Sequence, residues 1–168
     1  MFSLIVAFDE DRGIGYKGNI PWHLSEDLKQ FKEHTINKRI VMGKTTFVSI
    51  GKPLPKRHTI VITSSPKEDS ENVSYISDLK SFLEENKDSD EEIMICGGAS
   101  IYKECLPYCK KMYISHVLGK HTCDTYFPSI DYSLFDIVNK TEFDGLLWLN
   151  IKEKTNIILM FKKEFLYA

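Results

Sequence analysis

Residues 39–62, RIVMGKTTFVSIGKPLPKRHTIVI, hold one complete strand–helix–strand unit. Arg39 to Met42 is a short apolar run with β-branched members, closed by Gly43, which suits a strand buried on both faces. TTFVSIG reads as a short helix ending at Gly51, and PLPKR is a proline-bounded connection. HTIVIT is a second strand of the same kind. Strand, helix, strand in this order is a right-handed βαβ unit, so the stretch points to an α/β fold with parallel neighbours.

The pattern extends both ways. Phe2 to Phe8 is another buried strand. Residues 9–23 hold Gly13, Gly15, Gly18 and Pro21 and read as a long irregular loop, of the kind that in a compact domain is functional or disordered. Ser25 is placed to cap a helix over SEDLKQFKEH. Downstream, VSYI is a strand, DLKSFLEEN a helix capped by Asp78, Ile93 to Cys96 a strand, ASIYKECL a helix and MYISHVLG a strand. Phe135 to Lys140 and Thr155 to Lys163 read as a late antiparallel pair around GLLW. The expectation is a mostly parallel sheet with an antiparallel C-terminal edge.

With 168 residues the chain is expected to be one domain over 1–168. Lys plus Arg total 22 against 24 Asp plus Glu, and this near-neutral balance without a basic block argues against a dedicated nucleic-acid binder. No apolar run approaches the roughly 20 residues of a membrane span. The start, MFSLIVAFDED, shows no basic segment of a signal peptide, and the four cysteines contain no CxxC pair. A cytoplasmic, reducing setting is the expectation.

Asp27 is the most informative single position. At 100° per residue Leu24, Leu28 and Phe31 form an apolar stripe, and Asp27 lies about 40° from Phe31. One carboxylate therefore borders the buried face while Glu26, Lys29 and Glu33 face water. It is either a first-turn acid favoured by the helix dipole or a half-buried group that pairs with a ligand or moves a proton.

Other motifs discriminate less. GKTT lacks the glycine that a Walker loop needs five positions before Gly43, where Lys38 stands. Lys44, Thr45 and Thr46 still open a helix after a strand, a place where phosphates bind or where nothing does. ICGGAS is not the GxGxxG dinucleotide fingerprint, but Gly97–Gly98 allow a close backbone approach. Cys105, Cys109, Cys123, His116 and His121 lack a zinc ligand spacing, and no metal is expected. Arg57 sits in a loop, either as a surface cation or as a bidentate fork for a carboxylate or phosphate.

The order GIGYKGNIPWHLSEDLKQFK, IVMGKTTFVSIGKPLPKR, IVITSS, IMICGGASIY, DTYFP closely resembles dihydrofolate reductase over residues 1 to 130. After that only the run near 156–164 resembles the family's last strand. The resemblance implies an eight-stranded sheet flanked by helices, NADPH as cofactor, and hydride transfer from nicotinamide C4 to pterin C6 with protonation at N5. It also implies a role in tetrahydrofolate supply, folate and antifolate-type ligands as partners, and action as a monomer.

Position by position, the resemblance makes Asp27 the buried acid, supported by Ser115 and, through water, by Trp22. Ile5, Leu28, Phe31, Ile50, Leu54 and Cys96 match walls around the substrate, and Arg57 matches the grip on its α-carboxylate. Ala7, Ile14, Gly15, Asn19 and Ile20 match the nicotinamide surroundings, and the 9–23 loop one that closes over them. Gly43, Lys44, Thr45, Thr46, Thr63, Ser64, Ser77, Gly97, Gly98, Ala99, Ser100, Ile101 and Tyr102 match the rest of the cofactor site.

Four positions depart from the family. Cys96 replaces a larger apolar residue, Ala99 a third glycine, and Cys123 a glycine before Asp124. Ser100 stands where some members carry an arginine near the 2′-phosphate. Two other readings compete: a related-fold pyrimidine or pteridine reductase, and a catalytically silent dinucleotide-binding module. Asp27 and Arg57 argue against the first, the retained acid and glycine pair against the second.

Overall fold

The structure, a computed structural model, describes residues 1–154. In chain order the elements are β1 (Phe2–Phe8), β2 (Gly13–Gly15), α1 (Ser25–Thr35), β3 (Arg39–Gly43), α2 (Lys44–Ile50), β4 (His58–Ile62) and β5 (Val73–Ile76). Then come α3 (Leu79–Asn86), β6 (Ile93–Ile95), α4 (Ala99–Cys105), β7 (Cys109–Val117), β8 (Thr125–Tyr126), β9 (Phe135–Phe143) and β10 (Leu146–Glu153). Eight strands form one sheet in the order β5-β4-β3-β6-β1-β7-β10-β9. The first five pairings are parallel, and β7–β10 and β10–β9 are antiparallel.

Why the central strands read as continuous apolar runs is visible in the two cores. Leu4, Val6, Val41, Ile93 and Ile95 point to one face, where Leu79 and Leu83 of α3 and Ile101 and Cys105 of α4 cover them. Ile5, Ile40, Met42 and Met94 alternate onto the other face, against Leu24, Phe31 of α1 and Phe47 of α2. Truncating a fully buried member such as Ile95 to alanine removes about 2–5 kcal/mol by transfer and cavity effects. No helix among the described residues is long and apolar enough to cross a membrane.

Three local expectations are corrected. Ser25 is not the cap: the cap is Leu24, extended at φ −126°, with no side-chain hydrogen bond, and Ser25 opens the helix. Asp78, by contrast, does cap α3, accepting from the Ser81 N–H at 3.0 Å. The 9–23 loop is not wholly irregular, because β2 pairs with β8 in a separate two-stranded ribbon. A three-residue Gly-Ile-Gly strand is too short for any periodic signal.

The late pair is also different. The first strand runs on to Phe143, and the second is Leu146–Glu153, so GLLW lies at the start of β10 and not between strands. Asp144 and Gly145 make the turn, with Gly145 at φ +81°. Leu146, Trp148 and Ile151 bury their side chains, which fixes this strand between β7 and β9. The Thr155 to Lys163 strand lies outside the described residues.

Candidate functional site

In an open α/β sheet ligands bind beyond the carboxyl ends of the parallel strands. Many of the expected site residues lie at or near that edge, whereas Arg57 immediately precedes β4 at its amino end. Ile5 is central and Ala7 late in β1, Gly43 ends β3, Thr63 and Ser64 follow β4, Ser77 follows β5, Cys96 to Gly98 follow β6 and Ser115 lies late in β7. Backbone hydrogen bonds lock the ends together: Cys96 N–H donates to the Val41 carbonyl at 2.8 Å and Gly43 N–H to the Gly97 carbonyl at 2.9 Å.

The cleft floor is apolar. Ile5 packs in one cluster with Met42, Met94 and Tyr113, and Leu24, Phe31, Phe47, Leu54 and Cys96 close around it. Leu28 on α1 is 53% exposed and Ile50 on α2 is 39% exposed, so two apolar side chains stand open on the two helices.

Asp27 is half-buried on α1. Burial pushes its carboxyl above the ordinary value, and Ser115 and Trp22, which face it, pull part of the way back. The Trp22 Nε1 donor is buried and closes no hydrogen bond of standard geometry among the described residues. Tyr102 lies within electrostatic reach of Asp27 and Cys96, and its hydroxyl donates to the Ile5 carbonyl at 2.8 Å. The Cys96 thiol is driven well up by burial despite the Arg57 charge, so it stays protonated and inert at neutral pH.

Arg57 is buried. Its Nε donates to Thr35 Oγ1 at 3.2 Å and its Nη1 to the Pro55 carbonyl at 2.7 Å. Thr35 Oγ1 in turn donates to the Phe31 carbonyl at 2.6 Å. Among the described residues no carboxylate comes within ion-pair distance of this guanidinium. A buried cation held in orientation but without a counter-charge is a receptor for an anionic group. Thr35 was not singled out by sequence, and an isolated threonine at a helix end gives no signal.

A second region lies beside the first. Gly97–Gly98 is a cis peptide, and a Cβ on Gly98 would come 3.2 Å from Thr46 Oγ1. A Cβ on Gly43 would come 3.2 Å from Ile101 Cγ1, so this turn packs backbone against side chain at glycine distance. Lys44, Thr45, Ser64, Ser77 and Ser100 are exposed, whereas Ile101 and Tyr102 are buried supports. Thr63 is buried, and its Oγ1 accepts from the Ser65 N–H at 3.2 Å.

The 9–23 loop leaves Asn19 and Ile20 exposed. Ser49 of α2 donates to the Gly18 carbonyl at 2.7 Å. On its other side Lys17 N–H donates to Asp124 Oδ2 at 3.0 Å and Asp124 N–H to the Gly15 carbonyl at 2.9 Å. The contact therefore forms with Cys123 in place. A Cβ on Gly13 would lie only 2.4 Å from Cys123 Sγ, so a small residue at 13 accommodates the larger one at 123. Ile14 and Gly15 of β2 are partly buried.

Comparison with known proteins agrees with this geometry. The family model for dihydrofolate reductase matches residues 1–159. A dihydrofolate reductase of Bacillus subtilis is 37% identical over 142 residues, 84% of each chain. One from Buchnera aphidicola subsp. Acyrthosiphon pisum is 45% identical over 134 residues, covering 79% of this chain and 81% of the relative. A solved dihydrofolate reductase from Enterococcus faecalis, complexed with NADP(H) and RAB-propyl, superposes with a TM-score of 0.81 at 33% identity, covering 93% of this chain and 97% of that one. Fold and relatives together place the chain among the oxidoreductases. Within that class it belongs to the dihydrofolate reductase family.

Proposed function

We propose that the chain reduces 7,8-dihydrofolate to 5,6,7,8-tetrahydrofolate with NADPH. The observation that carries this reading is Asp27, a carboxylate set beside an apolar cleft, together with Arg57, which has no carboxylate at ion-pair distance among the described residues. When bound, NADPH would supply the hydride chemistry, from nicotinamide C4 toward pterin C6.

The chain's own residues do the rest. Asp27 accepts from the pterin's amide and amino donors, and its charge favours protonation at N5. Ser115 and Trp22 hold that carboxylate partly in its charged form. Ile5, Phe31, Leu54 and Cys96 exclude water from the rings, with Leu28 and Ile50 closing the rim. Arg57 grips the glutamate α-carboxylate by its fork.

The glycine turn fits a cofactor, because Gly43, Gly97 and Gly98 leave backbone where side chains would stand. Ala7, Ile14, Gly15, Asn19 and Ile20 would surround the nicotinamide. Lys44, Thr45, Thr46, Thr63, Ser64, Ser77, Ala99 and Ser100 would meet the phosphates and adenosine, with Ile101 and Tyr102 beneath them. The 9–23 loop would shield the reacting atoms from water. Loss of NADPH absorbance on adding dihydrofolate tests the assignment. Turnover with a pyrimidine substrate alone, or NADPH binding without turnover, would contradict it.

A further inference from the structure

We propose that His121 is a positioning residue of this enzyme, its ring holding the Trp22 indole toward Asp27 from an anchor made by the buried Asp9. The inference rests on the reading of Asp27 given above.

Asp9, at the end of β1, is one of few buried acids, with a side chain fully shielded from solvent. It is not an ion-pair partner of a lysine or arginine among the described residues. Its Oδ1 accepts from the Asp11 N–H at 3.0 Å and the Gly13 N–H at 2.9 Å, and its Oδ2 from the His121 N–H at 2.7 Å. A single carboxylate thus ties the start of the 9–23 loop to the segment after β7. Glu10 reinforces the seam, donating to the Gly119 carbonyl at 3.2 Å and accepting from its N–H at 3.1 Å.

The consequence falls on His121. Its buried Nδ1 lies 3.4 Å from Asp9 Oδ2 without closing a hydrogen bond of standard geometry among the described residues, so the anchor is the backbone N–H, and its ring meets Trp22 edge-on, 5.2 Å between centroids at 67°. Trp22 faces Asp27. The groups around Asp27 are Ser115 of β7, Tyr102 of α4 and Trp22. Those around His121 are Asp9, with Asp11 beside it held near Lys120 at 3.9 Å. Removing the imidazole leaves the His121 N–H on Asp9, so the seam survives while the indole loses its lateral support.

Only two tryptophans are present, Trp22 and Trp148. In protein labelled with 5-fluorotryptophan, His121→Ala should move the Trp22 fluorine resonance, assigned with Trp22→Phe, and leave that of Trp148 in place. For NADPH-dependent reduction of dihydrofolate, kcat should fall about two- to tenfold, as expected for loss of one edge-on ring contact, with both KM values nearly unchanged. The apparent pKa of the kcat profile should rise, since the indole favours the charged carboxylate. The double variant Trp22→Phe/His121→Ala should be no slower than Trp22→Phe, and His121→Phe should restore most of kcat. Additive losses, a loss confined to KM, or an unmoved Trp22 resonance would overturn the proposal. Wild-type protein inactive toward dihydrofolate would instead overturn the reading of Asp27, and the ring contact would then be structural only.

Discussion

Arg57 and Asp27 are held by one helix. Arg57 Nε bonds to Thr35 Oγ1 at 3.2 Å, Thr35 is the last residue of α1, and Asp27 lies in its first turn. Eight residues at 1.5 Å each set the two positions about 12 Å apart along the axis. In the function proposed above, α1 would thus space an acceptor for a polar ring from a receptor for a carboxylate.

From this follows a prediction for Arg57→Lys. A lysine is a point charge, reaches neither Thr35 nor a second carboxylate oxygen in the same geometry, and loses the fork. Binding of substrates that carry the glutamate should weaken about ten- to a hundredfold, the worth of one charge-assisted contact, while small pteridines are little affected. Comparing Kd for the two ligand types checks it; equal losses would show that Arg57 does not anchor the carboxylate.

Asp27 and Asp9 should affect stability with opposite sign. Burial raises the Asp27 carboxyl, so the folded chain binds its proton more tightly than the unfolded chain. Stability therefore falls as pH rises through the window between the unfolded and the higher folded pKa, and the charged form stays unfavourable above it. Asp27→Asn should melt higher than the parent at pH 7, with the gain vanishing below about pH 4. For Asp9, burial pushes the carboxyl up, but the N–H bonds of Gly13, His121 and Asp11 outweigh it and the net shift is down. Its stabilisation is present above the unfolded pKa and lost as pH falls through the folded one. Asp9→Asn should melt lower at pH 7 and match the parent in acid. Thermal melts over pH 3–8 read both; parallel curves for either variant would contradict the sign.

Lys44 is exposed where α2 begins, next to the glycine turn. A lysine on the 2′-phosphate contributes about 1.5–3 kcal/mol, so NADPH should be preferred over NADH by roughly ten- to a hundredfold. Ser100 offers only a neutral hydroxyl, which sets no larger margin. Lys44→Ala should erode the preference by weakening NADPH, and added salt should act the same way. The ratio of kcat/KM for the two cofactors decides it; an unchanged ratio would show that Lys44 does not read the phosphate.

Much of this was legible before any coordinates. The apolar runs at Phe2–Phe8, Arg39–Met42 and Ile93–Cys96 announce buried strands, because no polar alternation interrupts them, and the last of these stops one residue earlier, at Ile95. Asp27 stood out because three apolar neighbours fix the orientation of its helix. Arg57 was visible as a loop cation, but its burial and its bond to Thr35 depend on tertiary packing that no local pattern records. The strand Leu146–Glu153 is not legible in the sequence because GLLW offers both a turn glycine and a run of large side chains. Packing of Trp148 and Ile151 against the sheet, not propensity, decides for the strand. The Asp9–His121–Trp22 contact joins His121 to two residues about a hundred positions earlier in the chain, and its members show no spacing that would connect them.

The central claim is that Asp27 serves proton delivery to a pterin during NADPH-dependent reduction. The most direct measurement is the rate of NADPH oxidation with dihydrofolate, from pH 5 to 9, for the parent and Asp27→Asn. The amide is nearly isosteric but cannot accept from both pterin donors and carries no charge. The account predicts a fall of about a hundredfold or more at pH 7, with residual activity that rises as pH falls and bulk acid protonates the substrate. Parent-like turnover of Asp27→Asn at pH 7 would contradict it.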